Sequence, residues 1–248
     1  MKKIFKRVLW TIVLLMIIIG GSFIAYMLKA KSEIKKMTPV ETQQIVENIF
    51  SVQDTFVNMY LIKDGEKYVA IDAGNNADNV AYELKKLKIS PENVIAVFLT
   101  HTDGDHVAAI KLFKHAQVYL SKKEGELLNG QTSRFLIFGN KIATKEYLLI
   151  ENQQLFNIGN IKIQGILTPG HTVGSMCYLV DDKYLFTGDA LSLKAGKIFK
   201  FNNFFNMDSK TAYESIGIIT KIPTAEYIFT AHYGFTSDYK KAVLNWGK

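Results

Sequence analysis

Two histidines and two aspartates fall within six residues of this chain: His101, Asp103, Asp105 and His106. They follow an apolar run, Val94 to Leu99, which predicts a buried strand. Loops at the carboxyl ends of strands are where α/β sheets build their sites. Zinc and comparable divalent ions take nitrogen from neutral imidazole and oxygen from aspartate. The stretch therefore predicts a metal site, although aspartates in a polar loop also serve as helix caps.

Three more potential ligands share a local pattern, an apolar run that ends in Gly or Thr close to the ligand. They are His171, Asp189 and His232. The chain contains five histidines, and four of them lie at these predicted strand ends. One cleft could therefore collect four histidines and Asp189. The fifth, His115, has no candidate ligand close to it in the sequence and is expected to be exposed.

The set and order of these motifs resemble the metallo-β-lactamase superfamily over roughly residues 45 to 240. Each piece alone would be weak, whereas the ordered series is specific. The family motif is His-x-His-x-Asp-His, and Asp103 stands at the position of its second histidine. The matching pieces are Asn58 to Ile62, Ile71 to Gly74, the motif from His101 to His106, and then His171, Asp189 and His232.

The resemblance implies a centre of two divalent ions, with zinc expected first and manganese or iron as alternatives. Asp72 would support the metal loop through hydrogen bonds without binding an ion itself. The implied ligand set places one ion among His101, Asp103 and His171, the other among Asp105, His106 and His232, and Asp189 as a bridge between them.

The same resemblance implies a hydrolase in which metal-bound hydroxide attacks an ester, a thioester, a lactone or a phosphodiester. Asp105 and Asp189 would be its catalytic residues. An aspartate at position 103 makes one half of the site harder and more anionic. Three outcomes stay open: a working two-metal site, a single ion held by Asp105, His106 and His232, or a metal site without activity. The non-enzymatic alternative is a membrane-tethered metal-binding module of the same fold.

The resemblance also implies an α+β fold, the four-layer αββα sandwich, whereas spacing alone indicates only mixed helices and strands. Residues 129–141 receive no assignment, and the aromatic, lysine-rich segment 191–207 either borders the substrate pocket or belongs to the core. The lone Cys177 lies in an apolar strand pattern and is expected to be a packed core residue. Strand patterns cover 44–50, 57–62, 67–71, 94–99, 117–120, 143–150, 161–164, 175–180 and 183–187. Helical patterns cover 77–87, 122–128, 210–221 and 237–246.

The first 36 residues differ from the rest. Val8 to Leu28 carries no charge over 21 residues, enough to span a hydrocarbon core of about 30 Å. No convincing cleavage site follows, so we predict an uncleaved anchor in residues 1–36 and a metallo-β-lactamase-fold domain in residues 37–248. Four basic residues stand on each side of the span, so the positive-inside rule hardly decides orientation; we expect the domain to lie outside the cell.

The expected partners follow from this placement. The N-terminal helix would make the protein a single-pass component of the cell membrane, and its substrate would be a small molecule or part of the cell envelope. Without the four basic residues before the span, 26 Lys and Arg face 23 Asp and Glu. That excess is too small to indicate a nucleic-acid partner. The sequence leaves the oligomeric state open.

Overall fold

The computed structural model describes residues 2–144, 146–244 and 246. The chain divides into two compact units, Met1–Met37 and Thr38–Lys248. The first unit contains a single helix, α1 (Lys2–Ile34). By length and composition this helix could cross a membrane, a property that it shares with N-terminal signal sequences.

The second unit opens with a seven-stranded sheet whose strands lie side by side in chain order. Pairing is antiparallel over the first four strands and parallel over the last four. The strands are β1 (Gln43–Val46), β2 (Ile49–Asp54), β3 (Val57–Asp64), β4 (Lys67–Ile71), β5 (Val94–Phe98), β6 (Gln117–Ser121) and β7 (Tyr147–Ile150).

The C-terminal half supplies a six-stranded sheet and a separate two-stranded ribbon. The strands are β8 (Leu155–Ile158), β9 (Ile161–Leu167), β10 (Met176–Val180), β11 (Tyr184–Phe186), β12 (Ser192–Lys194), β13 (Lys197–Phe199), β14 (Tyr227–Phe229) and β15 (Phe235–Thr236). The sheet has the order β15-β14-β11-β10-β9-β8, and β12 pairs with β13 as the ribbon. Within the sheet β11 and β14 are parallel, and the other pairs are antiparallel.

Short helices connect these strands. They are α2 (Ala77–Lys86), α3 (Gly104–Val107), α4 (Lys122–Leu128), α5 (Ser209–Ile219) and α6 (Tyr239–Val243), with 3₁₀ turns at Pro91–Asn93 and Ile110–Leu112. Asn76 caps α2 by accepting a hydrogen bond from the backbone of Asn79, and Asp208 caps α5 in the same way. Each cap satisfies backbone donors that the first turn of a helix leaves free.

Three hydrophobic clusters lie between four layers of secondary structure, two of helices outside and two of sheet inside. Between the sheets, the ring of Phe98 from β5 meets that of Tyr178 from β10 edge to face, 5.4 Å between centroids. Leu84 of α2 packs on the outer face of the first sheet, and Ile216 and Ile219 of α5 pack on the outer face of the second. Each such buried side chain contributes about 1.5–3 kcal/mol of hydrophobic free energy. The order helix, sheet, sheet, helix is the predicted αββα sandwich with mixed sheets.

Several predicted boundaries are wrong. The pattern over 44–50 is two strands, β1 and β2, because the polar pair Glu47 and Asn48 forms a turn between them. The strand expected over 143–150 begins at Tyr147, and Lys145 lies outside the described residues. Strands β8, β12, β13 and β15 were not predicted, since each has only two to four residues. The last helix covers Tyr239–Val243 within the predicted 237–246, of which Asn245 lies outside the described residues.

Candidate metal centre

The structure brings all seven candidate ligands together, and each follows the end of a strand. The motif from His101 to His106 follows β5, His171 follows β9, Asp189 follows β11 and His232 follows β14. A backbone hydrogen bond from Met176 N to Thr100 O, 2.8 Å long, ties the start of the motif to the second sheet. Both sheets therefore supply side chains to one cleft.

Ligand atoms of these side chains form three overlapping groups, each within a mutual distance of 4.8 Å. The groups are His101, Asp103 and His171; His101, His106 and Asp189; and Asp105, His106 and His232. Asp189 lies between the first and the third group, since its Oδ2 is 3.4 Å from Nε2 of His171 and its Oδ1 is 3.2 Å from Nε2 of His232. The first and third groups contain the same residues as the two predicted ligand sets.

The same nitrogen of every histidine in the cluster is turned inward. Each uses Nδ1 for a contact outside the cluster, which leaves Nε2 for the centre, as is usual for metal-ligating histidines. The Nδ1 contacts are His101 with Oγ1 of Thr100 at 3.0 Å, His106 with Oδ2 of Asp72 at 2.8 Å, His171 with Oδ1 of Asn206 at 3.2 Å and His232 with the carbonyl of Phe56 at 2.7 Å.

Two of these inward atoms support a cation on their own. Nε2 of His101 and Nε2 of His106 are buried and have no hydrogen-bond partner in the part of the chain that the structure describes. Buried polar atoms are nearly always paired, because an unpaired one costs the free energy of its lost hydration. Imidazole nitrogens and carboxylate oxygens converging on such atoms form a donor set suited to zinc or a comparable divalent ion. The residues therefore fit a metal centre.

Asp72 supports the motif without facing the centre. Its carboxylate accepts hydrogen bonds from the backbone N–H of Thr100 at 2.7 Å and from the Thr100 hydroxyl. It also accepts the Nδ1 proton of His106. These contacts agree with the role predicted for Asp72, which holds the metal loop and the orientation of one imidazole.

Burial and neighbouring charges shift the pKa values of different ligands in the cluster in opposite directions. Burial, reinforced by repulsion between neighbouring imidazoles, holds the pKa of His101 well below its usual range. Burial also disfavours the charged ring of His106, but the surrounding carboxylates, Asp105 first, outweigh it and raise the pKa of His106 to about 10. Burial opposes ionisation of Asp189, yet attraction from His232 and other histidines keeps the pKa of Asp189 low. The cluster thus gathers negative charge that a cation would balance.

Two residues of the unassigned segment 129–141 reach the site, and sequence reasoning missed both. Arg134 forms a forked ion pair with Asp103, in which Nη2 lies 2.7 Å from Oδ2. Asn140 donates to Oδ1 of Asp103 at 2.9 Å. Burial would raise the pKa of the Asp103 carboxyl, but the bonds from Arg134 and His171 hold it well below its usual range. A signal was present in the sequence, because Arg134 is the only arginine after Arg7.

Glu124 is a second support that sequence reasoning missed. The side chain is fully buried at the start of α4. It accepts hydrogen bonds from the backbone and hydroxyl of Thr102, at 2.8 and 2.6 Å, and from the hydroxyl of Thr172 and the backbone of Gly174. Burial raises the pKa of Glu124 although these donors oppose the shift. The carboxyl group ties the motif loop to the loop that follows His171.

The segment 191–207 divides between core and site. Leu191 and Ile198 belong to the core beneath α5. Phe201 is buried against the ligands, with its ring 5.1 Å from that of His171 and 6.0 Å from that of His232. The segment therefore contributes to the core, and at Phe201 it also contacts the candidate ligands; its place at a substrate pocket stays a prediction.

The remaining singled-out residues lie away from the centre. His115 has a side chain 71% exposed, and its Nε2 is 2.8 Å from a carboxylate oxygen of Glu92. Cys177 is fully buried, with its sulfur 3.3 Å from the hydroxyl of Thr168. The predictions of an exposed His115 and a core Cys177 are confirmed.

Comparison with known proteins identifies the family. The sequence profile of the metallo-β-lactamase superfamily matches residues 52–232. The chain belongs to this superfamily. A probable polyketide biosynthesis zinc-dependent hydrolase of Bacillus subtilis is 32% identical over 138 residues, which cover 53% of this chain and 54% of that protein. The hydroxyacylglutathione hydrolase of Buchnera aphidicola is 27% identical over 190 residues, covering 76% and 66%.

Solved structures of the superfamily share the fold. The BLEG-1 B3 metallo-β-lactamase superposes with a TM-score of 0.58 at 25% sequence identity, covering 76% of this chain and 93% of that one. The match with the Bacillus relative spans about half the length of that protein.

Proposed function

We propose that this chain is a metal-dependent hydrolase that cleaves an ester, thioester, lactone or phosphodiester bond. The observation that carries the proposal is the convergence of four Nε2 atoms and three carboxylates on one cleft, where Nε2 of His101 and Nε2 of His106 are buried without a hydrogen-bond partner among the described residues. A purely structural cluster would pair these atoms with protein donors and acceptors.

A divalent ion, if held by these residues, would supply Lewis acidity and would lower the pKa of water toward neutrality. The chain itself contributes orientation and charge. Asp105 is the partly open carboxylate of the third group, with a side chain 22% exposed and its Oδ2 3.4 Å from Nε2 of His232. It orients the attacking water and accepts its proton. Asp189 is 5% exposed and holds the two halves of the cluster together.

We propose two ions, with zinc expected first. One half of the centre is His101, Asp103 and His171, and the other is Asp105, His106 and His232. Four nitrogen and three oxygen donors suit zinc, while the oxygen of Asp103 keeps manganese and iron as alternatives. The Bacillus relative is named as zinc-dependent, which supports the same order of preference.

The surroundings of the site and the relatives of the chain both bear on the substrate class. Phe201 packs against His171 and His232, which makes this side of the site apolar and suits a substrate with an apolar group close to the bond that is cleaved. One relative is named a hydroxyacylglutathione hydrolase. Together these observations favour acyl compounds, thioesters first, over phosphodiesters.

We further propose that α1 anchors the enzyme in the cell membrane, with residues 37–248 as the catalytic domain on the outer side. The uncharged run from Val8 to Leu28 supports insertion, because a bilayer core of about 30 Å accepts about 20 apolar residues. A tethered hydrolase would act on small molecules or envelope components close to the membrane.

The test is metal analysis of the full chain in mild detergent, followed by hydrolysis assays with the metal-loaded protein. Two equivalents of zinc and turnover of a thioester, lactone or ester would support the proposal. Turnover of a phosphodiester alone would overturn the preference for acyl compounds, and turnover of a β-lactam alone would overturn the proposed set of substrates. Metal without any turnover would favour a binding module of the same fold, and absence of metal after reconstitution would overturn the metal centre.

A further inference from the structure

Arg134 is the only arginine in the sequence of the second unit. Among the 30 Lys and Arg residues of the chain only Arg7 and Arg134 are arginines, and Arg7 lies in the N-terminal unit. Lysine is a flexible point charge, whereas the arginine fork holds a carboxylate through parallel N–H bonds. An arginine at this one place therefore indicates a requirement for the fork and not for charge alone.

The fork of Arg134 closes on Asp103. Nε lies 2.9 Å from Oδ1 and 3.2 Å from Oδ2, and Nη2 lies 2.7 Å from Oδ2. Nη2 also donates to the backbone carbonyl of Phe205 at 2.7 Å, which holds the guanidinium in place. Asn140 adds a donor to Oδ1. Oδ1 of Asp103 is thus occupied by two donors, and only Oδ2 turns toward the other ligands.

Oδ2 of Asp103 therefore contacts both the guanidinium of Arg134 and the histidines of its own group. Oδ2 lies 3.1 Å from Nε2 of His171 and 3.7 Å from Nε2 of His101. A cation in this group would compete with the guanidinium for the same oxygen and would be repelled by its charge. In the part of the chain that the structure describes, the ion-pair partners of Asp105 in the other group are the histidines His106 and His232.

We propose that Arg134 is a positioning residue that makes the two halves of the centre unequal. It holds the half formed by His101, Asp103 and His171 at lower affinity for a divalent ion than the half formed by Asp105, His106 and His232. The centre therefore fills in two separate steps. This inference rests on the metal centre of the proposed function and adds to it an order of loading.

The experiment is an equilibrium titration of the chelator-stripped full chain in mild detergent with Zn²⁺, read against a competing chromophoric chelator. The wild-type chain should bind two ions in two separate steps. Arg134→Gln should tighten the second step by about 10-fold or more, because it removes a cation that repels the ion and competes for Oδ2 of Asp103, and it should leave the first step unchanged. Arg134→Lys should fall between them, because it keeps the charge and loses the fork.

Three further variants assign each binding step to one half of the centre and test whether any nearby positive charge has the same effect as Arg134. Asp103→Asn should abolish the second step and Asp105→Asn should weaken the first, which assigns each step to its half. Lys141→Gln removes an exposed charge next to Asn140 and should move neither step. Circular dichroism and thermal unfolding of each stripped variant show that its fold is retained.

The outcomes distinguish this inference from the proposed function. Two equal steps in the wild-type chain, or an unchanged or weaker second step in Arg134→Gln, would overturn the inference and leave the metal centre standing. An equal shift in Lys141→Gln would also overturn it, since general electrostatics would then explain the effect. A wild-type chain that binds no ion would overturn both.

Discussion

Nδ1 of His106 lies 2.8 Å from Oδ2 of Asp72, a residue 34 positions earlier in the chain. Both side chains are buried, and the same carboxylate accepts the backbone N–H of Thr100. One aspartate at the end of β4 therefore sets both the path of the motif loop and the direction of its last imidazole. This contact fixes which nitrogen of His106 is free for the centre.

Asp72→Asn should weaken the metal centre and the fold together. The new amide would point N–H groups at the donors of Thr100 or His106, and an unsatisfied buried group of this kind costs about 1–3 kcal/mol. Metal affinity should fall by about 10–100-fold. Chelator competition and chemical denaturation measure the two effects. The control is Asp64→Asn, which removes a carboxylate bonded to the exposed Asn160; equal metal loss in both variants would contradict the assignment.

Asp105→Ala and His232→Ala should each abolish hydrolysis and reduce the bound metal while the fold persists. Both side chains belong to one ligand group, and neither lies in a hydrophobic cluster. Turnover and metal content of the purified variants are the measurements. His115→Ala is the matched histidine control, because that ring is 71% exposed. Wild-type turnover in either site variant would remove that residue from the catalytic centre.

Asp103→His made alone should destabilise the folded protein, although it restores the second histidine of the family motif. The substitution removes the carboxylate partner of Arg134 and places an imidazole against a guanidinium that is only 20% exposed. Adding Arg134→Gln should recover stability, with a coupling of about 0.5–3 kcal/mol in a double-mutant cycle. Denaturant unfolding of the four proteins gives that coupling. Additive effects would show that the two residues act independently.

Cys177 should be unreactive in the folded protein. Burial raises the pKa of its thiol to about 12, so at pH 8 the reactive thiolate is about a thousandfold scarcer than in the unfolded chain. Because the folded pKa lies above the unfolded one, the thiol adds stability that is lost as the pH rises toward 12. Alkylation rates with and without denaturant test this; rapid labelling of the native chain would contradict the burial of Cys177.

The anchor is tested by placing charge in the middle of α1. Ile17→Arg with Ile18→Arg should release the protein from membranes, because each arginine at a span centre costs about 2.5–3.5 kcal/mol. The control pair Ile17→Leu and Ile18→Leu should stay in the membrane pellet after an alkaline carbonate wash. Intact-mass measurement separates an uncleaved anchor from a removed signal sequence. Retention of the arginine variant would exclude a membrane span here.

The sequence by itself determined the donors and the elements that carry them. Short apolar runs place each candidate ligand at a strand end, and that signal is local, since strand periodicity and the following turn lie within about ten residues. The order of the motifs then indicated the superfamily and its αββα sandwich. The uncharged run in α1 was equally visible, because a stretch of 21 residues without charge is a local property of the sequence.

Only the tertiary structure decided what surrounds those donors. Arg134 meets Asp103 across 31 positions and Phe205 across 71, and Glu124 meets Thr172 across 48. Contacts of this kind have no period and no neighbouring residue that predicts them, because they arise when loops from different strands close over one cleft. The donors were therefore visible in the chain, whereas the inequality that Arg134 imposes on them depends on the packing of segment 129–141.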